Sequence, residues 1–241
     1  MVSEGGWKPK ASLELGSRQS KASKIAALIE SRRPLAGTRL LEVGTGGGII
    51  TSRLAEMVGS NGEVWSVDVD DFRISTEGYQ FRLVEGVGLP FGDREFDIVV
   101  SNHTIEHVGG RDDQLGHLRE IARVLAADGV VYLATPSRWS LVEPHFKVPM
   151  LSWLPPRMRS RGLRMSRRGT VYDIDPCTRS ELLELVDRAG LNATDMTIRA
   201  LRMFTELEKP SRVGRMASRT PDRILKALGW VMPSMVFLLE R

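Results

Sequence analysis

The chain has one cysteine, Cys177, and no lysine between Lys24 and Lys147. A single thiol excludes an intramolecular disulfide framework. The missing lysine excludes a phosphate-binding loop ending in Gly-Lys-Ser/Thr from the glycine-rich first half, so ATP chemistry of that kind is not expected. No run of 18 or more apolar residues occurs, and the apolar tail Gly229–Leu239 is short and broken by Pro233, so no membrane span is expected. Met1 to Lys10 lacks the apolar centre of a signal peptide, and with the lone thiol this sets a cytoplasmic expectation. There is no aromatic-studded platform of the kind that stacks bases, which disfavours nucleic acid as a partner.

What is present is glycine in one telling place. Leu40-Leu41-Glu42-Val43-Gly44-Thr45-Gly46-Gly47-Gly48-Ile49-Ile50 is an apolar strand that opens directly into glycines and then into a helix-forming run. Such glycines let the backbone turn with positive φ and approach a ligand that a Cβ would obstruct. The dinucleotide fingerprint needs Gly or Ala where Ile49 stands, so NAD is disfavoured. Glu42 and then Gly44, Gly46 and Gly48 place an acid two residues before a G-x-G-x-G run. Downstream, Gly62-Glu63-Val64-Trp65-Ser66-Val67-Asp68 reads as a strand ending in a carboxylate that can accept ribose hydroxyls. Glu85-Gly86-Val87-Gly88-Leu89-Pro90-Phe91 and the strand Glu95 to Asn102 follow. Helix Leu118 to Leu125, a turn, and the strand Gly129 to Thr135 complete an ordered set.

With 41% hydrophobic residues, the 241-residue chain can bury one substantial core, and about 200–250 residues is ordinary for a single α/β domain. Periodicity predicts strands near 39–44, 62–68, 80–85, 95–101 and 129–135, with helices at 17–31, 48–58 and 113–126 between them. That alternation predicts a doubly wound, largely parallel sheet with right-handed crossovers. A helix at 178–189, with Thr178 as N-cap and Gly190 as stop, and a last apolar strand at 234–239 close the pattern. Between Asp68 and Glu85 only residues 69–84 intervene, and Phe72 to Gly78 is short for a helix, so a turn or a reduced helix is expected there. The thinly covered sheet edge then leaves room for a partner chain, as in a homodimer, or for the chain's own extended segments.

The four ordered segments over Leu40 to Pro136 resemble the motifs of class I S-adenosylmethionine-dependent methyltransferases. That resemblance implies a Rossmann-like, seven-stranded sheet whose last strand is antiparallel, with substrate-cover insertions after strands 5 and 6. It implies one methyltransferase domain over 1–241, divided into an N-terminal helical segment (1–36), a cofactor half (37–136), a cover insertion (137–176) and a C-terminal part of the sheet (177–241). It also implies S-adenosylmethionine as cofactor, with S-adenosylhomocysteine as product. Cofactor contacts are implied from Glu42, Gly44, Thr45, Gly46, Asp68, Val69, Glu85, Gly86 and Asn102. Glu85 stands where relatives usually carry Asp toward the adenine amino group. In relatives the helix that begins near Ser17 can close over the methionine end of the cofactor, which makes Arg18 a candidate there against a solvated basic face.

Acceptor residues are expected in the loops after strands four and five, Asn102–Asp112 and Ser137–Pro176, because ligands of open α/β sheets lie outside the carboxyl ends of the strands. The second is long enough to be a lid or binding segment. These loops hold His103, His107 and His145, three of the four histidines. An aliphatic or sugar hydroxyl attacks poorly while protonated, and a histidine can take that proton. His103 or His107 is the first choice of base and His145 the second, weighed against Glu106 and His107 simply pinning the loop. His103-Thr-Ile-Glu106-His107 also spells the inverted zinc-peptidase motif, but it starts at a strand end, so no metal is expected.

Net charge is +4, and much of the basic excess is local: Arg157, Arg159, Arg161, Arg164, Arg167 and Arg168 fall within one short segment. Such a segment seeks anions. Phosphate groups of a lipid- or nucleotide-linked acceptor, an anionic membrane surface and RNA compete with a basic cover pairing with Asp173 and Asp175. The combination of Ile105-Glu106-His107 with Pro136-Ser137-Arg138-Trp139 and Glu143-Pro144-His145 resembles the bacterial group that includes quinone-biosynthesis and natural-product methyltransferases. That implies transfer to a small-molecule, sugar or lipid-linked acceptor, with oxygen favoured over nitrogen. The alternatives are a cofactor-binding protein without catalysis, or an RNA methyltransferase.

Overall fold

β1 (Arg39–Val43) buries Leu40 toward one side and Leu41 and Val43 toward the other. A strand apolar on both faces needs a layer against each. The computed structural model, which describes residues 15–207, 220–227 and 229–241, supplies both layers. The leader-free stretch expected at Met1–Lys10 lies outside the described residues.

Among the described residues, seven strands form one sheet in the order β3-β2-β1-β4-β5-β7-β6. β2 (Glu63–Asp68), β3 (Gln80–Leu83), β4 (Phe96–Asn102) and β5 (Leu125–Pro136) run parallel with β1, and β7 (Ser234–Glu240) pairs antiparallel with both β5 and β6 (Asn192–Asp195). On one face α1 (Leu15–Ile29), α2 (Ile49–Val58) and α6 (Thr197–Leu207) surround a core that includes Ile25, Leu54, Ile98, Tyr132 and Leu238. On the other, α3 (Arg111–Val124) and α5 (Arg179–Arg188) pack with Phe96, Val99, Leu133, Leu182 and Phe237. Val131 and Leu133 go to one core and Val130, Tyr132 and Ala134 to the other, which is the period of two of a central strand.

The predicted doubly wound sheet is the observed one, with boundaries that shift for local reasons. α1 spans 15–29 rather than 17–31, because Pro34 biases the preceding backbone away from helix and residues 30–33 turn. α3 spans 111–124 rather than 113–126: the Gly110 amide donates to the Asp113 carboxylate at 3.0 Å, which sets the start. Leu125 then enters extended backbone at once, so β5 begins there rather than at 129. β3 stops at Leu83, which leaves Glu85 beyond its end. Thr178 caps α5 as expected, its hydroxyl accepting from the Glu181 amide. β6 carries no apolar alternation, being the polar edge Asn192-Ala193-Thr194-Asp195, and periodicity did not find it.

Residues 69–79 contain no helix, and their turn is used differently. The amides of Ile74 and Ser75 donate to the Gly47 carbonyl at 3.0 and 3.2 Å, so the segment lies across the glycine loop. Between β5 and α5 the chain forms a separate lobe. There Phe146, Leu151, Leu163 and Ile174 make their own small core, and α4 (Pro156–Met165) runs across it. α7 (Asp222–Ala227) precedes β7.

Candidate active site

The carboxyl ends of β3, β2, β1 and β4 are neighbours in the sheet, and the glycine loop joins β1 to α2 among them. Gly44, Gly46 and Gly48 all have positive φ, at 88°, 55° and 75°. Two of them are also demanded by packing. A Cβ on Gly44 would come within 2.2 Å of Thr104 Oγ1, and one on Gly48 within 2.1 Å of the Ser75 carbonyl. Gly46 differs, since a Cβ there would meet nothing within 4 Å, so its backbone faces open space in the cleft.

Asp68, at the end of β2, holds that loop in shape. Its carboxylate accepts the Gly46 amide and the Val69 amide, each at 2.8 Å, leaving further lone pairs on both oxygens. Glu42 is buried under the loop and accepts a hydrogen bond from the Thr51 hydroxyl of α2. Burial pushes its carboxyl up to about 8, against the opposing pull of Thr51 and Arg18, while the Asp68 charge adds to the rise. Arg18 of α1 therefore lies within the field of Glu42, and its own cation is disfavoured by burial. Of the remaining expected contacts, Asn102 is half-buried at the end of β4, whereas Val69, Glu85 and Gly86 are exposed. Thr45 turns away, its hydroxyl donating to the Val67 carbonyl at 3.1 Å, so only its backbone remains for a ligand.

Beyond Asn102 the chain reverses at His103, a non-glycine residue at φ 58°, a conformation that costs roughly 1–2 kcal/mol for an ordinary L-residue. Thr104 then donates to the Val43 carbonyl at 2.9 Å, and a single 3-10 turn, Ile105–His107, delivers Glu106 into the interior. The Glu106 side chain is fully buried. Its Oε1 lies 3.3 Å from His103 Nδ1 and 3.6 Å from His145 Nε2, and its Oε2 accepts the Thr135 hydroxyl of β5 at 3.2 Å. His145 arrives from the cover lobe, with Nδ1 2.9 Å from Glu143 Oε1, and the His107 ring stands edge-on to it at 5.1 Å. Two of the three sequence-predicted histidines, His103 and His145, thus converge on one carboxylate, while His107 is exposed and packs against the His145 ring. Sequence reasoning missed Glu143, Thr104 and Thr135 as parts of this site. Only Glu143 left a signal, as a carboxylate two residues before a histidine.

Electrostatics separate the three rings. Burial lowers His103 and His107 below the ordinary histidine value, with Glu106 opposing in both. His145 is raised: burial works against its cation, but the hydrogen bond to Glu143 and the charge of Glu106 outweigh it. Glu106 is held below the usual carboxylate range, since the hydrogen bond and charge of His103, with His107 and His145, overcome its burial. His103, Glu106 and His145 also offer ligand atoms all within 4.8 Å of one another, a set able to hold a divalent cation. The inverted zinc-peptidase arrangement is another matter, because His103 precedes the 3-10 turn that His107 ends, and the two do not share a helix.

The arginines of the cover lobe divide. Arg157, Arg161, Arg164, Arg167 and Arg168 are exposed, whereas Arg159 is buried and reaches Asp175 at 3.7 Å.

Residues 41–133 match the family described as methyltransferase domain. The ubiquinone biosynthesis O-methyltransferase of Ruegeria pomeroyi is 28% identical over 175 residues, covering 68% of this chain and 64% of the relative. The chain spans just under two thirds of the length of the curated relatives it matches. Among solved structures, an S-adenosylmethionine-dependent methyltransferase from Mesorhizobium loti matches at a TM-score of 0.59 and 13% identity, covering 92% of this chain and all of its own. A [4+2]-cyclase matches at 0.55 and 18% identity, covering 90% of this chain and 80% of its own. Over residues 41–133 the chain is thus similar to methyltransferase domains, and the Mesorhizobium loti protein of the same fold is by its name dependent on S-adenosylmethionine. The site fits that molecule: open space at Gly46, a carboxylate with spare acceptors at Asp68, and a buried acid for a cationic end at Glu42.

A carboxyl raised to about 8 in the folded state and ordinary in the unfolded one binds more protons when folded. Its stabilising contribution is fully present below about pH 4.5 and is lost as pH rises toward 8. Glu42→Gln removes that loss. The variant should unfold at a higher temperature than the parent at pH 8.5, with the difference vanishing at pH 4.5, as followed by thermal denaturation without cofactor.

Proposed function

We propose that the chain transfers a methyl group from S-adenosylmethionine to a hydroxyl oxygen of a small-molecule acceptor, with sugar and lipid-linked hydroxyls included in that class. The convergence of His103 and His145 on Glu106, at the strand ends beside the glycine loop, carries this reading.

The bound cofactor supplies an electrophilic methyl group on a sulfonium. Everything else falls to the chain. Glu42 receives the cationic methionine end, Asp68 accepts the ribose hydroxyls, and Glu85 and Gly86 edge the adenine. Asn102 and Val69 line the same cleft. Displacement at a methyl carbon is in line, so much of the acceleration comes from holding the acceptor oxygen at the right place.

A hydroxyl acceptor must also lose its proton. His145 has both ring nitrogens turned to carboxylates, Glu143 and Glu106, and its raised pKa suits the cation, so it has no lone pair to offer. It is a positioning residue that fastens the cover lobe to Glu106. His103 turns only Nδ1 to Glu106, and burial keeps the ring neutral. With Nδ1–H donating to Glu106, its Nε2 can take the acceptor proton, and the Glu106 carboxylate stabilises the imidazolium that forms. This arrangement needs no metal for the proton transfer. Oxygen is favoured over nitrogen because a neutral amine needs no such base. The exposed arginines of the lobe, together with exposed Met158 and Met165, support an anionic membrane surface as the place where a lipid-linked acceptor is met.

His103→Ala should lower turnover by about 100-fold or more while S-adenosylmethionine binding, read by calorimetry, changes little. In the parent the acid limb of the rate profile should lie below the ordinary histidine pKa, because the base must be neutral. Unchanged turnover in the variant would remove His103 from this role. Asp68→Ala should cost about 2–4 kcal/mol of cofactor affinity, and a variant that binds as tightly as the parent contradicts the ribose assignment.

A further inference from the structure

Three arginines converge where the cover lobe meets the domain. Arg111 of α3 reaches Asp175 at 3.0 Å and Glu181 at 3.1 Å. Arg159 of α4 reaches the other oxygen of Asp175 at 3.7 Å, and Arg138 reaches Glu181 at 3.9 Å. Their charges are close enough that Arg138 and Arg111 both disfavour the Arg159 cation. Three guanidinium groups therefore share these two carboxylates.

Some of their donors are left over. Arg159 is only 2% exposed, and of its guanidinium nitrogens Nε donates to the Leu154 carbonyl at 2.9 Å while Nη2 has no partner. Its guanidinium stands 5.5 Å from the Tyr172 ring, whose hydroxyl is likewise buried without a partner. Arg138 Nε is a third buried donor in the same state. Buried donors are nearly always satisfied in folded proteins, and a buried cation short of counter-charge is costly. One such orphan would be unremarkable in a folded chain, but three unpartnered donors in one neighbourhood have a common remedy in an anion that accepts from them.

The position joins this cluster to the histidines. Tyr172 lies within the fields of Glu143 and Glu106, and the Asp175 amide donates to the Glu106 carbonyl at 2.9 Å. We infer that Arg159, Tyr172 and Arg138 form a subsite for an anionic group, a carboxylate or a phosphate, carried by the acceptor at a distance from the hydroxyl that is methylated. Calling the ligand an acceptor rests on the methyl-transfer reading; the anion site itself does not. Guanidinium forks match both anions in geometry, and a protonated phenol adds a donor that a carboxylate or phosphate can use.

The test is a calorimetric titration of the full chain, saturated with S-adenosylhomocysteine, against phenyl phosphate, benzoate and neutral phenol. One or both anions should bind at least about 10-fold more tightly than phenol, and the stronger of the two distinguishes a phosphate from a carboxylate acceptor. Arg159→Gln should abolish that preference. Tyr172→Phe, which keeps the ring and removes only the orphan hydroxyl, should weaken it several-fold, so the test does not depend on the arginine variant folding. Phenol binding as tightly as both anions, or a preference untouched by both variants, overturns the subsite. Failure to bind S-adenosylhomocysteine with anion binding intact would instead overturn the methyl-transfer reading and leave the subsite standing.

Discussion

The buried carboxylate of Glu106 is fastened to three distant parts of the chain at once. His103 approaches it from the end of β4, Thr135 from β5, and His145 from the cover lobe, while its backbone carbonyl receives the Asp175 amide from the far end of that lobe. An ionised carboxylate in the interior survives only with such company, since desolvation alone would neutralise it. The same requirement therefore shapes the fold around it. It accounts for the left-handed backbone at His103, which aims that ring inward, and it anchors a lobe whose own core is small.

The cofactor cleft depends on a second carboxylate working through backbone. Asp68 fixes Gly46 by its amide, Gly47 is bridged by Ile74 and Ser75, and Thr104 closes over Gly44. The resemblance implied a helix after β2, and this chain instead spends the segment on holding the glycine loop. Thr104 links the two halves of the site, touching the glycine loop on one side and standing between His103 and Glu106 in sequence. The glycine loop and the His103–Glu106 pair are thereby joined through one residue.

How much of this was legible in the sequence follows from the range of each interaction. Glu42, the three glycines and Asp68 announced themselves because each depends on its strand-to-loop neighbours, and residues 69–84 were visibly short for a full helix, its turns and a strand together. The polar edge β6 was silent because an exposed strand needs no apolar alternation. Glu143 and His145 could be noticed as neighbours, but nothing local tells that His145 faces Glu106, nearly forty residues earlier. The arginine run was legible as charge only. That Arg159 alone turns inward, beside Tyr172 and across from Arg111, is a consequence of tertiary packing, and periodicity around α4 does not distinguish it from Arg157 or Arg161.

The account stands on a cofactor cleft in which Glu42 is protonated until a cation arrives. Calorimetric titration with S-adenosylmethionine at pH 7, repeated in two buffers of different protonation enthalpy and beside S-adenosylhomocysteine, NAD and ATP, tests it most directly. The account predicts micromolar binding of the two adenosyl sulfur compounds alone, with a buffer-dependent heat that reports proton release from Glu42. Binding of NAD or ATP with equal strength, or of none of the four, would contradict it.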